Sequence, residues 1–452
     1  MAEISSNTNS VFDYEIGYLQ SIVHDILKQA STLGASSAEA AVSSQQGYSV
    51  TVRKAEVETI EYNRDKGLGV TVYFGHSKGS ASTTDFKPDA IKATVQAACD
   101  IARYTSADEC AGLAESSRLA KDVPDLELYQ PWDLSPEQAV EMARECEAAG
   151  MAVDNRISNS EGAYISTHSG QRVYGNSLGF VGGYSSSRHS IGCTLIASGD
   201  DEMQRDYWYS VSRNPNRLED LNDIGRQAGE RTVRRLNAQK LGTRKVPVIF
   251  TADVARGLMG HLVRAVSGGA LYRQSSFLLD AIDKKLFPDF VEMDERPHLI
   301  QGLGSAPFDT EGVATQARKL IESGVLQSYV LDSYAARRLK LQSTGNAGGV
   351  HNLFINSTGQ SFEELLQQMN TGLLVTEVMG QGVNIVTGDY SRGASGFWVE
   401  NGEIQYPVEE ITIASTLPQM FQGLLAVGND MDQRGNLVSG SWLINEITVA
   451  GN

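Results

Sequence analysis

Seven histidines are the side chains in this sequence best suited to bind a catalytic metal. They are His24, His76, His168, His189, His261, His298 and His351. None is followed by glutamate, so the His-Glu-x-x-His helix of the common zinc peptidases is absent. The sequence also has no complete G-x-G-x-x-G or G-x-x-x-x-G-K-[ST] motif, which leaves a nucleotide-binding fold without support.

Two serines, Ser77 and Ser177, lie in the G-x-S-x-G pattern of serine hydrolases. In a hydrolase this pattern joins a strand to a helix by a sharp turn, which presents the hydroxyl to an oxyanion hole. Both patterns lie here between or within predicted strands, which favours ordinary turn serines, and His168 and His189 are near Ser177 only in sequence. An independent hydrolase is an alternative that predicts covalent labelling of Ser77 or Ser177 by a serine-directed phosphonate.

The four cysteines do not form a recognisable metal or disulfide pattern. Their spacing matches neither a C-x-x-C pair nor the framework of a small secreted domain, so buried free thiols are expected. No cysteine follows the last of them, which limits the ligands available to the C-terminal half. They are Cys99, Cys110, Cys146 and Cys193.

Composition indicates a globular protein that avoids polyanions. The 452 residues exceed what one core normally holds, so two or three domains are expected. Lys and Arg number 38 against 55 Asp and Glu, a net charge of −17 that argues against binding nucleic acid. Neither a signal peptide nor an apolar stretch long enough for a bilayer is visible, so we expect a cytoplasmic protein that does not bind membranes.

The elements that must position these side chains follow a repeated order in the N-terminal half. A helix over 14–33, strands over 49–53, 57–62, 69–74 and 79–84, and a helix over 88–104 form one predicted module. A helix over 136–153, strands within 157–212 and a helix over 218–236 form a second one. We therefore predict an α+β fold with modules at 1–106 and 136–240, which could share one domain, and a connector at 107–135.

A strand-rich C-terminal domain is predicted for residues 241–452. It begins with a buried strand at 246–250, and a helix at 251–270, capped by Thr251, places His261 at its centre. A lone histidine in a helix is usually structural, and Arg264 one turn later would repel a metal cation. Asn401 and Gly402 predict a type I′ hairpin turn.

Glycines are dense in two stretches of the C-terminal half, at 345–351 and at 387–396. Because glycine has no Cβ atom, such stretches permit close backbone approach to a bound chain. Tight turns at strand ends are the structural alternative, and the sequence leaves both interpretations open.

Several stretches together resemble the TldD/PmbA family, most closely its PmbA branch, also called TldE. They lie at 79–85, 174–177, 246–250, 307–312 and 343–349, and the longest is TGDYSRGASGFWVENG at 387–402. The resemblance implies a cytosolic two-subunit zinc peptidase acting on short unstructured peptides. In that family the TldD-type subunit binds zinc through a His-Glu-x-x-x-His helix and a later cysteine.

This sequence departs from the family's zinc motif. Alignment to the motif puts His261 on the first histidine, Leu262 on the glutamate and Val266 on the second histidine, and the cysteine is missing. We therefore assign no catalytic or metal-binding residue and expect zinc only in the partner subunit. The resemblance implies a non-catalytic subunit that helps form the substrate channel and stabilises a TldD-type partner.

Contacts with the peptide or the partner are predicted in the longest matching stretch. We expect an extended peptide to add to a sheet edge there, since main-chain hydrogen bonds hold it regardless of sequence. The candidate contact residues are Gly388, Asp389, Ser391, Arg392, Gly393, Gly396 and Phe397. The alternative is a homodimeric regulatory protein that binds other proteins without proteolysis, and a homodimer is also possible when the partner is absent.

Overall fold

The computed structural model describes residues 12–199 and 202–451 of the chain. Residues 1–11 and 200–201, which fall within the predicted N-terminal modules, lie outside the described residues. The predicted α+β class is confirmed, because helices pack against mainly antiparallel sheets instead of alternating with parallel strands. No helix within these two ranges is both long and apolar enough to cross a membrane.

The N-terminal half is built on one antiparallel sheet with helices packed on it. Its strands are β1 (Ser37–Arg53), β2 (Glu56–Phe74), β3 (Ser77–Thr83), β4 (Ile157–Asn176), β5 (Val181–Ser198) and β6 (Met203–Ser212). Its helices are α1 (Ile16–Thr32), α2 (Pro88–Tyr104), α3 (Pro136–Met151) and α4 (Leu221–Arg234). The strand order is β3-β2-β1-β4-β5-β6, so pairing of β1 with β4 joins the two helix–strand–helix units into a single sheet.

The helices cover one face of this sheet because apolar side chains alternate along its strands. In β1, Ala38, Ala40 and Val42 point to the same side and are buried. Helices α1 and α2 cover one part of this face and α3 and α4 another, which gives two apolar clusters. The helices α3 and α4 are in backbone contact at Gly225, where a Cβ atom would lie 2.0 Å from the carbonyl oxygen of Cys146.

The first two strands are longer than their sequence pattern predicts. Strand β1 begins at Ser37 rather than Ser49, and β2 is one strand where two, at 57–62 and 69–74, are expected. The residues that join the two predicted segments are mostly polar, and they are exposed at the edge of the sheet. They nevertheless remain hydrogen-bonded to β1, so β2 is continuous. In contrast, α2 has the predicted bounds, Pro88–Tyr104.

The C-terminal half contains a larger number of shorter elements. Its helices are α5 (Ala252–Ala265), α6 (Gly268–Tyr272), α7 (Ser333–Leu339), α8 (Phe362–Met369) and α9 (Leu417–Gln422). Its strands are β7 (Arg244–Phe250), β8 (Met293–Glu295), β9 (Arg318–Glu322), β10 (Val325–Leu326), β11 (Leu353–Ile355), β12 (Gly372–Met379), β13 (Asp389–Glu400), β14 (Glu403–Thr416), β15 (Leu424–Val427), β16 (Leu437–Val438) and β17 (Trp442–Ala450).

The main sheet of the C-terminal half closes on itself. Its order is β14-β13-β12-β7-β17-β15, and β14 also pairs with β17, so five strands form a closed ring. A second sheet, β10-β9-β8-β11-β16, lies beside it. Helix α5 packs into the main core through Leu258, Met259 and Leu262, together with Phe250 of β7 and Trp442 of β17.

The helix and the hairpin turn predicted in this half differ in how well they match the structure. The single helix predicted at 251–270 is wrong, because α5 ends at Ala265 and the Gly268 amide hydrogen-bonds to the Val330 carbonyl instead of continuing the helix. The predicted hairpin turn is confirmed, since Asn401 and Gly402 have φ values of 54° and 76° between β13 and β14.

Candidate functional site

His261 is half-buried between α5 and Tyr390 of β13. The two ring centroids are 6.0 Å apart and the rings meet edge to face. Burial, and then the positive charges of Arg392 and Arg264, lower the pKa of His261 to about 4. The imidazole is therefore neutral at physiological pH and faces guanidinium groups.

The other two positions of the expected zinc motif face the protein core. Leu262 and Val266 are fully buried in the main apolar cluster of the C-terminal half. Across residues 12–199 and 202–451, no group of three or more His, Cys, Asp or Glu side chains could hold a metal ion. A single imidazole beside two arginines does not fit catalytic zinc, which needs three protein ligands and an open position.

A central cleft separates the N-terminal sheet from the C-terminal half and reaches His261. Its larger part, about 830 Å³, lies between β6 and α4 on one side and β12, β13 and residues 430–434 on the other. Its smaller part, about 360 Å³, contains His261 and Arg392. The two parts are adjacent, because they share lining residues, among them Trp208 and Arg434.

Trp208 of β6 lines both parts of the central cleft. Its indole lies 3.9 Å from the guanidinium carbon of Arg434 and 5.2 Å from that of Arg231, both measured to a ring centroid. The indole nitrogen donates a hydrogen bond of 2.9 Å to Glu219. These cation–π contacts and the hydrogen bond fix the ring against the wall of the cleft.

Three carboxylates of the central cleft are paired with arginines. Arg231 forms ion pairs with Asp206 at 3.3 Å and with Asp253 at 3.7 Å. Asp432 pairs with Arg434 at 2.9 Å; burial raises its pKa, but the hydrogen bond and charge of Arg434 hold the pKa below the usual value. With these carboxylates held in ion pairs, the cleft is suited to binding a polar chain.

The predicted contact residues on β13 only partly reach this cleft. Phe397 lines its larger part and Arg392 its smaller part. The other predicted contacts do not line either part; they are Gly388, Asp389, Ser391, Gly393 and Gly396.

Backbone addition of a peptide to β13 is excluded by its pairing. Residues 393–399 hydrogen-bond with β12 on one side and with β14 on the other. Nearer the start of the strand, the Ser391 amide donates to the Gly382 carbonyl and the Asp389 carbonyl accepts from Asn384. The expectation of a free sheet edge at this strand is therefore wrong, because closure of the sheet occupies both sides of it.

The other glycine-dense stretch is a structural turn. Gly345, Gly348 and Gly349 have φ values of 70°, 100° and 111°, which side-chain-bearing residues rarely adopt. The buried carboxylate of Glu295 accepts a hydrogen bond of 2.6 Å from the His351 amide at the end of the stretch. Of the two interpretations left open by the sequence, the structure supports tight turns here.

Neither serine of the hydrolase patterns has the geometry of a nucleophile. Ser77 begins β3, and Ser177 lies in the turn between β4 and β5, where its hydroxyl accepts a hydrogen bond from the Ala38 amide. His189 uses its two ring nitrogens for Thr167 and for a backbone carbonyl. The strand-to-helix turn of a serine hydrolase is present at neither position.

All four cysteines are free thiols, as their spacing predicts. Three are buried, and Cys110 is half-buried. A hydrogen bond with Cys146, and then burial, raise the pKa of Cys193, so its thiol stays protonated.

The central cleft itself was not predicted from the sequence. Its walls come from residues far apart in the chain, such as Trp208 and Arg434. Two local signals mark it in retrospect: the aromatic run Tyr207, Trp208 and Tyr209 on β6, and an arginine row on α4 that includes Arg231. Neither signal indicates by itself that the two segments face each other.

A helix-covered antiparallel sheet, a closed strand-rich half and a cleft between them define the class of PmbA/TldA metallopeptidase folds. Three family models match this chain in order: PmbA/TldA metallopeptidase domain 1 over 38–102, the central domain over 129–236 and the C-terminal domain over 243–451. The chain therefore belongs to the PmbA/TldD family, and close relatives place it in the PmbA branch.

Relatives and solved structures cover nearly the whole chain. It is 52% identical over 414 residues to Metalloprotease PmbA of Escherichia coli O157:H7, covering 92% of each chain. It is 49% identical to the Metalloprotease PmbA homolog of Haemophilus influenzae, covering 99% of each. A proposed DNA gyrase modulator from Bacteroides thetaiotaomicron superposes with a TM-score of 0.91 at 27% identity, covering 96% of this chain and 99% of that one.

More distant matches include proteins named TldE and TldD. TldE from Thermococcus kodakarensis has a TM-score of 0.83 at 20% identity, covering 95% of this chain and all of that one, which shows a shared fold. A Metalloprotease TldD homolog from Buchnera aphidicola is 20% identical over 396 residues, covering 82% of this chain and 80% of its own length.

Proposed function

We propose that this chain is the non-catalytic subunit of a cytoplasmic two-subunit peptidase whose TldD-type partner carries the zinc. The proposal rests on the residues that α5 has at the positions of the expected zinc motif. The helix is intact, yet two positions of the expected metal motif are core side chains, Leu262 and Val266, and His261 faces arginines. A metallopeptidase fold whose described residues form no metal site is suited to a structural and substrate-binding role.

The central cleft is the part of this chain that we assign to the peptide substrate. It combines polar side chains of β6, the aromatic rings of Trp208 and Phe397, and paired charges that need no metal. Arg234 adds a guanidinium 4.9 Å from the Phe397 ring and has no carboxylate partner in the described chain. Such a surface binds unstructured peptides through stacking and hydrogen bonds with little dependence on sequence.

The test is metal analysis combined with a peptidase assay on unstructured peptides, for the chain alone and mixed with a TldD-type subunit. We expect zinc and turnover only in the mixture. Replacing His261 by Ala in this chain should leave the zinc content of the mixture unchanged. The matched control is the same substitution at the first motif histidine of the partner, which should remove the zinc. Stoichiometric zinc and turnover by this chain alone would contradict the proposal.

Co-purification separates this function from that of a homodimeric regulator. A peptidase subunit should be recovered with a chain that has an intact His-Glu-x-x-x-His helix. Recovery with other proteins, and without a chain of that type, would favour the regulatory alternative.

A further inference from the structure

Arg234 ends α4 and lines the larger part of the central cleft without an acidic partner. Its guanidinium forms no ion pair with a carboxylate of residues 12–199 or 202–451. Arg217, which follows β6, also lines this part and is unpaired within the same ranges. The larger part of the cleft therefore has two cationic side chains whose hydrogen-bond donors no described residue uses.

The carboxylates of this part of the cleft differ, because each already has a partner in the protein. They are Asp206, Glu219, Asp253, Asp430 and Asp432. Three of them are held by the arginine ion pairs described above. Glu219 accepts a hydrogen bond from the indole of Trp208, and Asp430 accepts two from the amide and hydroxyl of Ser441. The charged groups left without a partner here are therefore cationic, although the chain has a net charge of −17.

Phe397 of β13 holds the Arg234 guanidinium in place. The guanidinium carbon lies over the ring, 4.9 Å from its centroid. This stacking leaves the N–H groups at the edge of the guanidinium plane available to a planar carboxylate, which arginine binds through two parallel hydrogen bonds. A stacked arginine also loses less side-chain freedom on binding than an unrestrained one such as Arg217. Arg234 is therefore better prepared than Arg217 to bind an anion.

The charges around Arg234 also favour an anion. Burial lowers the pKa of Arg234, and the positive charge of neighbouring Arg231 lowers it further. Glu230 and Asp206 act in the opposite direction, but neither forms an ion pair with Arg234, and Asp206 is held by Arg231. Arginine nevertheless stays protonated at neutral pH. A bound carboxylate would thus compensate a positive charge that the protein leaves partly uncompensated.

The negative net charge of the chain acts against an acidic ligand only at long range. At physiological ionic strength, exposed charges more than about 8 Å apart are largely screened from each other. A ligand inside the cleft is therefore controlled by the groups that line it and not by distant acidic surface. The net charge of −17 should slow the approach of an acidic peptide without preventing its contact with Arg234.

We propose that Arg234 binds a carboxylate of the peptide substrate and makes this chain selective for peptides that present one. The carboxylate belongs to an Asp or Glu side chain or to the peptide C-terminus, which carry the same planar group. The proposal rests on the assignment of the central cleft to the peptide, and it adds a substrate class to that assignment. Arg234 then determines specificity, while the chemistry takes place in the partner subunit.

The first experiment measures binding of fluorescently labelled peptides to the full chain by anisotropy. The peptides are short and unstructured, and they differ in a central Gln or Glu and in a free or amidated C-terminus. Removal of the recognised carboxylate should weaken binding about tenfold, because a charge-assisted hydrogen bond is lost. Loss on the change from Glu to Gln assigns a side chain, and loss on amidation assigns the C-terminus. Arg234→Gln should abolish the difference to within about twofold.

Two further variants separate Arg234 from general effects of charge. Arg226→Gln removes an exposed guanidinium that pairs with Asp223 elsewhere on α4, and it should leave every Kd unchanged. Arg217→Gln removes the other unpaired arginine of the cleft and should weaken binding by less than about threefold, because that side chain is not stacked. Equal effects of Arg217→Gln and Arg234→Gln would overturn the assignment to Arg234.

Turnover by the mixture with a TldD-type subunit separates this proposal from the peptidase role. KM should follow the same preference for the carboxylate, with kcat nearly unchanged. Turnover by the mixture, together with binding that does not depend on a carboxylate or with no binding at all, would overturn the Arg234 site and leave the subunit role intact. Carboxylate-dependent binding through Arg234 without turnover by the mixture would retain the site and contradict the peptidase role.

Discussion

The two main sheets of this protein differ in whether they close. The N-terminal sheet is open, with β3 and the outer part of β2 at one end and β6 at the other, whereas the C-terminal sheet closes through pairing of β14 with β17. An open sheet can bind another chain through its backbone, and a closed one only through side chains. This difference explains why the glycine-rich β13 cannot receive a peptide, although its sequence suits one.

The largest expected effect lies in the closed sheet, at Gly396 of β13. A Cβ atom there would lie 1.8 Å from the carbonyl oxygen of Leu374 in β12. Gly396→Ala should lower the free energy of unfolding by about 4 kcal/mol, because paired backbones must separate.

Gly393 provides the matched control for this substitution. A Cβ atom there meets its nearest neighbour, Met379, at an ordinary 3.5 Å, so Gly393→Ala should change stability by less than about 1 kcal/mol. Urea denaturation of both variants makes the comparison. If both variants lose the same free energy of unfolding, the short distance between the β12 and β13 backbones is not the reason for glycine at position 396.

The next effect concerns Glu147 of α3, which holds the tip of the β1–β2 hairpin in the open N-terminal sheet. Glu147→Ala removes the carboxylate that accepts the Lys54 and Ala55 amides and should cost about 3 kcal/mol. Hydrogen exchange should become faster at the tip of the β1–β2 hairpin and not in β13. Glu145→Ala, on the exposed side of the same helix, should have a small effect. Uniform loss of protection would indicate that Glu147 supports the whole sheet and not the hairpin alone.

A pH-dependent effect is expected in the closed half, at His261. Its folded-state pKa of about 4 lies below the ordinary 6.5, so the unfolded chain binds more protons between these values. This contribution to stability is present above pH 6.5 and is lost as pH falls toward 4. After allowance for partial exposure, it amounts to about 2 kcal/mol.

His261→Gln should therefore flatten the fall of stability between pH 6.5 and pH 4 relative to the unmodified chain. Urea denaturation at several pH values measures the difference, with His24→Gln on the exposed face of α1 as the control. Parallel curves for His261→Gln and the unmodified chain would mean that the imidazole is not held neutral by burial and arginines.

The smallest effect tests the β6 side of the open sheet. Trp208→Ala removes the ring that lines the central cleft and should raise KM for peptide turnover by the mixed subunits about tenfold, with kcat nearly unchanged. Met203→Ala, at the exposed start of the same strand, is the control. An equal response of both variants would remove Trp208 from the proposed peptide-binding surface.

Sequence pattern was sufficient where structure is local. Helix α2 and the Asn401–Gly402 turn follow directly from helical spacing and from turn preferences. The absence of a zinc motif around His261 is also a local property of the sequence. Its consequence for metal binding remains a proposal that metal analysis decides.

Sequence pattern failed where the outcome depends on distant partners. The polar stretch of β2 was divided in two because no apolar alternation signals a strand that is exposed on its edge. The closed sheet and the central cleft arise from segments that meet only after folding, such as Trp208 with Arg434. The local spacing of apolar residues does not show which segments meet. The sequence therefore could not distinguish a strand with a free edge from one that is paired on both sides.

Closure of the C-terminal sheet also sets the order in which this half can fold. Strand β7 pairs with β17 through contacts such as Lys245 with Thr448, about 200 residues apart in the chain. At translation rates of roughly 5–20 residues per second, about 10–40 seconds separate the synthesis of β7 from that of β17, although β12, the other neighbour of β7, is made earlier. During synthesis the side of β7 that faces β17 therefore stays unpaired, and closure of the sheet is a late step after translation of β17.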